Sequence, residues 1–266
     1  MLKARIITAV FLVAGLALVL FASSPAIVVI TFSVIAALAA WEWGGLMRQD
    51  ENARRLFALL TAFFCWQLWP VADNLFPLLF VFAGVFWLMV LPVWLYLRWT
   101  FAGNDFVGYL VGLVIILPTW AAMVSLQAVS SWLLLAAMAL VWVADVAAYF
   151  SGRAFGRHKL APNISPGKTW EGVAGAVAGV VVYGLVVMSM TPLSERIPLS
   201  LPGMVGLLLA LTALSVVGDL FESLLKRNAQ IKDSSQLLPG HGGVLDRIDS
   251  LTSTLPFVAM LVLLWR

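Results

Sequence analysis

Apolar residues in this chain come in long blocks, not at the two-residue spacing of a half-buried strand or the narrow stripe of a surface helix. Nine blocks stand out, at 6–21, 26–47, 56–71, 75–97, 106–126, 132–150, 173–190, 201–225 and 251–264. A bilayer-crossing helix needs roughly 20 mostly apolar residues, and these blocks nearly fill the chain. The expected fold is all-α, a polytopic membrane helical bundle of about nine transmembrane helices. Pro70 and Pro77 blur the turn between the third and fourth blocks, so eight and ten crossings are the alternatives.

Composition agrees with the pattern. Hydrophobic residues make up 62% of the 266 positions and charged residues 11%, too few to wet the surface of a soluble domain. Charge then orients the bundle. With nine crossings and a cytoplasmic N-terminus, Lys3, Arg5, Arg48, Arg54, Arg55, Arg98, Arg153, Arg157, Lys159, Lys168, Lys226, Arg227, Lys232 and Arg247 lie inside, 14 of the 16 basic residues. Arg196 and Arg266 fall outside, the asymmetry that the positive-inside rule requires and that an even count would spoil. Lys3 and Arg5 are also compatible with the start of a signal peptide, but Phe21-Ala22-Ser23-Ser24 is a poor cleavage site, so an uncleaved anchor is expected. Cys65 stands alone in an apolar run, which leaves no intramolecular disulfide and suggests packing. Trp41, Trp99 and Trp170 fall near the expected cytoplasmic boundaries, where indoles anchor.

Chemically capable side chains concentrate in two expected cytoplasmic loops, 151–172 and 226–250. The chain therefore divides into scaffold helices, 1–130, and a catalytic region, 131–266; beyond loop charges the first part offers little except Glu42 and Asp105. Asp145 sits near the end of its span. An aspartate at mid-membrane costs about 2.5–3.5 kcal/mol, so one near a helix end is expected to face a partner or an aqueous cavity. Tyr149 and Arg153 follow at four-residue steps, and a local Asp-Tyr-Arg ladder closing the helix end is the structural alternative. Further on, Ser165, Lys168 and Thr169 precede a helix whose free N–H groups and positive dipole end favour anions. Gly167-Lys168-Thr169 is not a P-loop, because Pro162 stands where that motif needs glycine. Plain helix capping with positive-inside charge accounts for the same residues.

The second segment is denser. Asp219, Glu222, Ser223, Lys226 and Arg227 share one stripe of a helix. Pro239, Gly240, Gly242 and Gly243 force a tight, open backbone around His241, where small residues permit close approach by a ligand. Asp246 and Asp249 then follow one turn apart. The acid pairs Asp219 with Glu222 and Asp246 with Asp249, beside Lys226, Arg227, Lys232 and Arg247, point to a hard cation acting on phosphates, a task that suits magnesium. Two histidines and no nearby cysteine make zinc the poorer choice.

The run Ser223-x-Leu225-Lys226-Arg227, Lys232-Asp233, His241-Gly242-Gly243 and Asp246-Arg247-x-Asp249 resembles the signature of the phosphatidate cytidylyltransferase (CDP-diacylglycerol synthase) family. The earlier block of Asp145, Tyr149, Gly152, Arg153, Lys159, Leu160, Ser165, Pro166, Lys168, Thr169, Trp170, Glu171 and Gly172 resembles it too. Motifs carry the resemblance over the last half of the chain, hydropathy and length over the first. Gly167 departs from the pattern, in which many members carry a second lysine.

The resemblance implies an enzyme of the inner (cytoplasmic) membrane that joins CTP to phosphatidic acid among membrane lipids, and the charge-based topology puts its site on the cytoplasmic side. CDP-diacylglycerol and pyrophosphate are the products. It also implies a homodimer that uses Mg2+, with a monovalent cation such as K+; nucleic acid is not an expected partner. Both substrates are polyanions, so charge neutralisation and in-line positioning are expected to dominate catalysis. On that footing Asp219, Asp246, Lys226 and Arg227 are the expected catalytic groups. Asp145, Asp219, Asp246 and Asp249 are the expected metal carboxylates, and Ser165, Lys168, Thr169, Ser223, His241 and Arg247 the phosphate-binding groups. A transporter is the rival from another class, but these acids lie toward helix ends rather than at mid-membrane. The CDP-alcohol phosphatidyltransferases are marked by an Asp-Gly-x-x-Ala-Arg run that this chain lacks.

Overall fold

The computed structural model describes residues 2–97, 99–100, 104–191 and 199–265, with side chains from residue 6 onward. Arg98, Arg196 and Arg266, used above to orient the bundle, lie outside the described residues, as do the side chains of Lys3 and Arg5.

Each apolar block falls on a helix. The helices are α1 (Leu2–Ala22), α2 (Pro25–Leu46), α3 (Glu51–Leu68), α4 (Ala72–Val85), α5 (Leu91–Leu97), α6 (Asp105–Val129), α7 (Ser131–Phe155), α8 (Trp170–Met190), α9 (Leu201–Ala229) and α10 (Leu245–Leu264). Their starts have local causes: Pro25 pre-sets the first turn of α2, and Asp50 and Asn104 accept hydrogen bonds from Ala53 N–H and Val107 N–H at the heads of α3 and α6. A tight turn at Trp69–Val71 and a wide one at Phe86–Val90 connect α3, α4 and α5. Pro70 and Pro77 therefore do not end the helical run. α7, α9 and α10 extend into the segments expected as loops, reaching Phe155, Ala229 and Leu245, because a polar helix end still satisfies its own backbone beyond the apolar layer.

Seven helical runs among the described residues are long and apolar enough to cross a membrane. One of them, Glu51–Leu97, has 47 residues, about twice the length that a single crossing needs. One departure from helix is a short antiparallel hairpin, β1 (Lys159–Ala161) with β2 (Ser165–Thr169), where the sequence suggests a capping loop.

α6 lies at the centre, packed on α2, α4, α7 and α10. Trp43 Nε1 of α2 donates to the Gly108 carbonyl (2.9 Å), and Trp120 Nε1 donates to Ser33 Oγ (3.1 Å), so these two buried indoles are satisfied. Cys65 is buried, as a packing residue would be. Phe11, Leu59, Met89, Trp132 and Val182 are exposed on the outside. Large apolar patches of that kind suit a lipid surround and not water. A groove of about 620 Å³ opens between α2 and α3, with apolar walls and Trp41, Glu51, Arg55 and Leu237 among its lining residues.

Contacts between distant segments of the chain define two ends. At one, Arg48 Nη2 donates to the Asn228 carbonyl (2.5 Å), Asn228 Nδ2 to the Trp99 carbonyl (3.4 Å) and Thr8 Oγ1 to the Pro239 carbonyl (3.0 Å). At the other, Ser131 Oγ donates to the Leu20 carbonyl, and the rings of Phe21 and Trp132 pack at a tilt with centroids 4.7 Å apart. The two motif-bearing segments lie at the first end.

Candidate active site

α9 and α10 pack closely at Gly218. A Cβ there would stand 2.5 Å from Ser253 Oγ and 2.9 Å from the Asp249 carbonyl oxygen. Ser253 Oγ donates to the Leu214 carbonyl (2.7 Å) and Ser250 Oγ to the Ser215 carbonyl (3.1 Å), locking the register of the pair. That contact sets Asp219 beside Asp249. Asp145, from α7, comes within electrostatic reach of both, with Lys168 and Arg247 in the same field.

Lys168 arrives from β2 and forms an ion pair with Asp219 Oδ2, while Ser223 Oγ donates to Asp219 Oδ1 (3.3 Å). Asp249 Oδ1 accepts from Ser250 N–H (2.7 Å). Asp145 is exposed and makes no hydrogen bond or ion pair among the described residues. The ladder considered for its helix is only half present: Arg153 Nη1 donates to Tyr149 Oη (3.0 Å), and Asp145 stays out of it.

A second, drier cluster lies alongside. Lys226 Nζ bridges Glu222 Oε2 (2.6 Å) and Asp246 Oδ1 (2.7 Å), with the lysine side chain 14% exposed and each acid 5%. Asp246 Oδ2 accepts from Ser234 N–H (2.9 Å), Ser234 Oγ (2.9 Å) and Gly243 N–H (2.8 Å). Both oxygens of Asp246 are thus engaged, and the residue anchors the loop that precedes α10.

The tight backbone around His241 is present. Gly240 and Gly242 have φ of 77° and 82°, and Leu238 N–H donates to the Gly242 carbonyl (2.8 Å). Glycine is the residue that adopts such angles without strain. The close approach is made by the protein itself, since a side chain at Gly242 would press on Asp246 Oδ2. His241 Nδ1 is buried with no hydrogen-bond partner among the described residues.

The remaining predicted positions divide. Thr169 Oγ1 accepts from Gly172 N–H (3.1 Å) and caps α8. Arg227 Nε donates to the Ile164 carbonyl (3.3 Å), tying the end of α9 to the hairpin turn. Glu171 accepts from His158 N–H (3.2 Å) and closes the base of the hairpin. Ser165 and Arg247 make no side-chain hydrogen bond or ion pair among the described residues.

Glu42, grouped by sequence with the scaffold, reaches this site from α2. It is fully buried. Its Oε1 accepts from Ser235 Oγ (2.5 Å) and Val244 N–H (2.9 Å), and its Oε2 from Ser234 Oγ (3.1 Å) and Leu245 N–H (2.6 Å). The cost argument applied to Asp145, that a carboxylate in an apolar span needs a reason, applies with equal force to Glu42 and is the signal that finds it.

Chemically, Asp145, Asp219 and Asp249 are hard oxygen donors at an accessible edge, flanked by Lys168 and Arg247. Among the described residues no three Asp, Glu, His or Cys side chains close on one point as a ready-made cage. That donor set fits an ion shared with substrate phosphates and water, the habit of magnesium.

Comparison with known proteins gives a consistent result. The sequence profile of the cytidylyltransferase family matches residues 3–265. A phosphatidate cytidylyltransferase of Haemophilus influenzae is 36% identical over 282 aligned residues, covering 97% of each chain. One from Pseudomonas aeruginosa is 39% identical over 287, covering 100% of this chain and 97% of its own. One from Brucella suis is 50% identical over 118 residues, 43% of this chain and 41% of its own.

Proposed function

The chain belongs to the cytidylyltransferase family, and from that premise we propose that it makes CDP-diacylglycerol from CTP and phosphatidic acid for phospholipid synthesis. A phosphate oxygen of phosphatidate attacks the α-phosphorus of CTP. The new P–O bond forms as the bond to the α,β-bridging oxygen breaks, and pyrophosphate leaves with that electron pair. Phosphatidate is already anionic at neutral pH, so no general base is assigned. The observation that carries the reading is the Lys168–Asp219 pair, which joins the two halves of the motif pattern at one place.

In this reading Lys168, Arg227 and Arg247 neutralise phosphate charge, Lys226 serves catalysis by holding Glu222 and Asp246 in place, and Ser165, Ser223 and His241 contribute hydrogen bonds. Thr169 contributes by fixing the start of α8. Mg2+ is the proposed cofactor, with K+ as a monovalent companion. Asp219 and Asp249 would hold it, with Asp145 beside them and Asp246 one turn from Asp249. When bound, the ion supplies electrostatic stabilisation of the departing pyrophosphate. Catalysis is assigned to 131–266 and scaffolding to 1–130, with Glu42 reaching across that line.

We further propose nine crossings, with the N-terminus and the site on the cytoplasmic side of the inner membrane. Arg48 and Trp99 both meet Asn228, which supports two crossings for Glu51–Leu97; seven runs with one counted twice, plus α1, make nine. The basic residues gathered at the site end support the orientation. The homodimer rests on the family resemblance.

The test is conversion of radiolabelled CTP to a chloroform-soluble product by the purified protein in detergent, with phosphatidate present or omitted and with EDTA or Mg2+ added. Label that appears only with phosphatidate, disappears with EDTA and returns with Mg2+ is expected. No labelled lipid from folded protein refutes the reaction; label that survives EDTA refutes only the metal.

A further inference from the structure

Glu42 is a buried carboxylate whose nearest sequence partner in the site is 192 residues away. Among the described residues no Lys, Arg or His lies within ion-pair distance of it. It is held by four donors, all in the segment 234–245. Burying an ionisable group is costly unless its hydrogen bonds are met, and packing alone would be served by an apolar residue. The carboxylate must therefore act on that segment.

Two details say how. The residue preceding α10, Val244, provides no side-chain cap, yet a helix start leaves N–H groups without partners. Glu42 takes Val244 N–H and Leu245 N–H from across the bundle, with its acidic group at the positive end of the helix dipole. In addition, Ser234 Oγ stands 3.1 Å from Glu42 Oε2 and 2.9 Å from Asp246 Oδ2. A hydroxyl has one proton to donate, so Ser234 shares it between the two carboxylates and ties the position of one to that of the other. A Cβ at Gly243 would stand 2.5 Å from Glu42 Oε1, which explains why the chain is bare there.

We propose that Glu42 is a positioning residue for cytidylyl transfer: anchored on α2, it fixes the 234–245 segment and the first turn of α10, and so the places of Asp246 and Asp249. The inference rests on the reaction proposed above. Glu42→Gln keeps the size but puts an amide NH2, which cannot accept, against two of the four donors.

The experiment compares wild type, Glu42→Gln and Glu42→Asp in the labelled-CTP assay and follows hydrogen exchange of the Val244 and Leu245 amides in each. For Glu42→Gln, kcat is expected to fall at least tenfold with the KM for CTP and for phosphatidate nearly unchanged, and the two amides to exchange at least tenfold faster. Glu42→Asp is expected to recover part of both. Wild-type kcat in Glu42→Gln overturns the proposal, and so does a loss of rate with unchanged amide exchange. If Glu42→Gln does not fold, Ser235→Ala, which deletes one donor, carries the test: a threefold or greater loss of kcat at constant KM supports the role, and full rate overturns it. An inactive wild type is a failure of the assigned reaction, and the exchange measurement then still decides whether Glu42 holds the segment.

Discussion

Lys226→Met removes the charge that bridges Glu222 and Asp246 while keeping the length of the side chain. The lysine is 14% exposed and the acids 5% each, so little solvent is available to take its place. Breaking a buried pair by deleting one partner costs about 3–5 kcal/mol, because the other charge stays buried. Here two acids are stranded, and Glu222 Oε1 already has no hydrogen-bond partner among the described residues. Lys168→Met is the internal comparison. The Lys168–Asp219 side chains are 23% and 30% exposed, and a partly solvated pair contributes about 0–1 kcal/mol. Thermal unfolding in detergent, followed by tryptophan fluorescence, is expected to show Lys226→Met melting well below wild type. At roughly 2–4 °C per kcal/mol the drop is roughly 6–20 °C, against roughly 4 °C or less for Lys168→Met. Both variants are expected to lose turnover. The double variant Glu222→Gln with Lys226→Met should regain part of the lost stability, since it removes one stranded charge. Equal melting of Lys226→Met and Lys168→Met would refute the assignment of Lys226 to a dry structural bridge.

Three further predictions test the site piece by piece. Gly218→Ala should cost about 1–3 kcal/mol through overpacking and lower turnover by spreading Asp219 from Asp249; wild-type melting and rate together would contradict the α9–α10 contact. Asp145→Asn has no hydrogen bond or ion pair to lose, so its melting temperature should match wild type while turnover falls at least about tenfold, in line with loss of one electrostatic contact to the reacting groups; full turnover removes Asp145 from the site. Thr169→Val should lose about 1 kcal/mol of stability with the cap and keep its KM for CTP; a raised KM at unchanged stability would instead make the hydroxyl a substrate contact.

Hydropathy by itself determined the helices, because a span is decided by transfer free energy summed over some 20 consecutive residues, and caps such as Asp50 and Asn104 act within three residues of the helix they start. The density of acids, bases and glycines from Asp219 to Asp249 was likewise legible, since a polar cluster beside an apolar helix has few structural explanations. Other features were decided only by tertiary packing. Which carboxylates are open and which are anchored follows from the partners: Asp246 and Asp249 are three residues apart on one helix, yet Asp246 is engaged at both oxygens by Lys226, Ser234 and Gly243. The hairpin of β1 and β2 depends on Arg227 and Glu171 holding its turn and base, contacts that no local propensity encodes. Glu42 is the clearest instance. Its partners lie 192 or more residues away, so its burial signals that a partner exists, and only the packing of α2 against the loop before α10 decides which one.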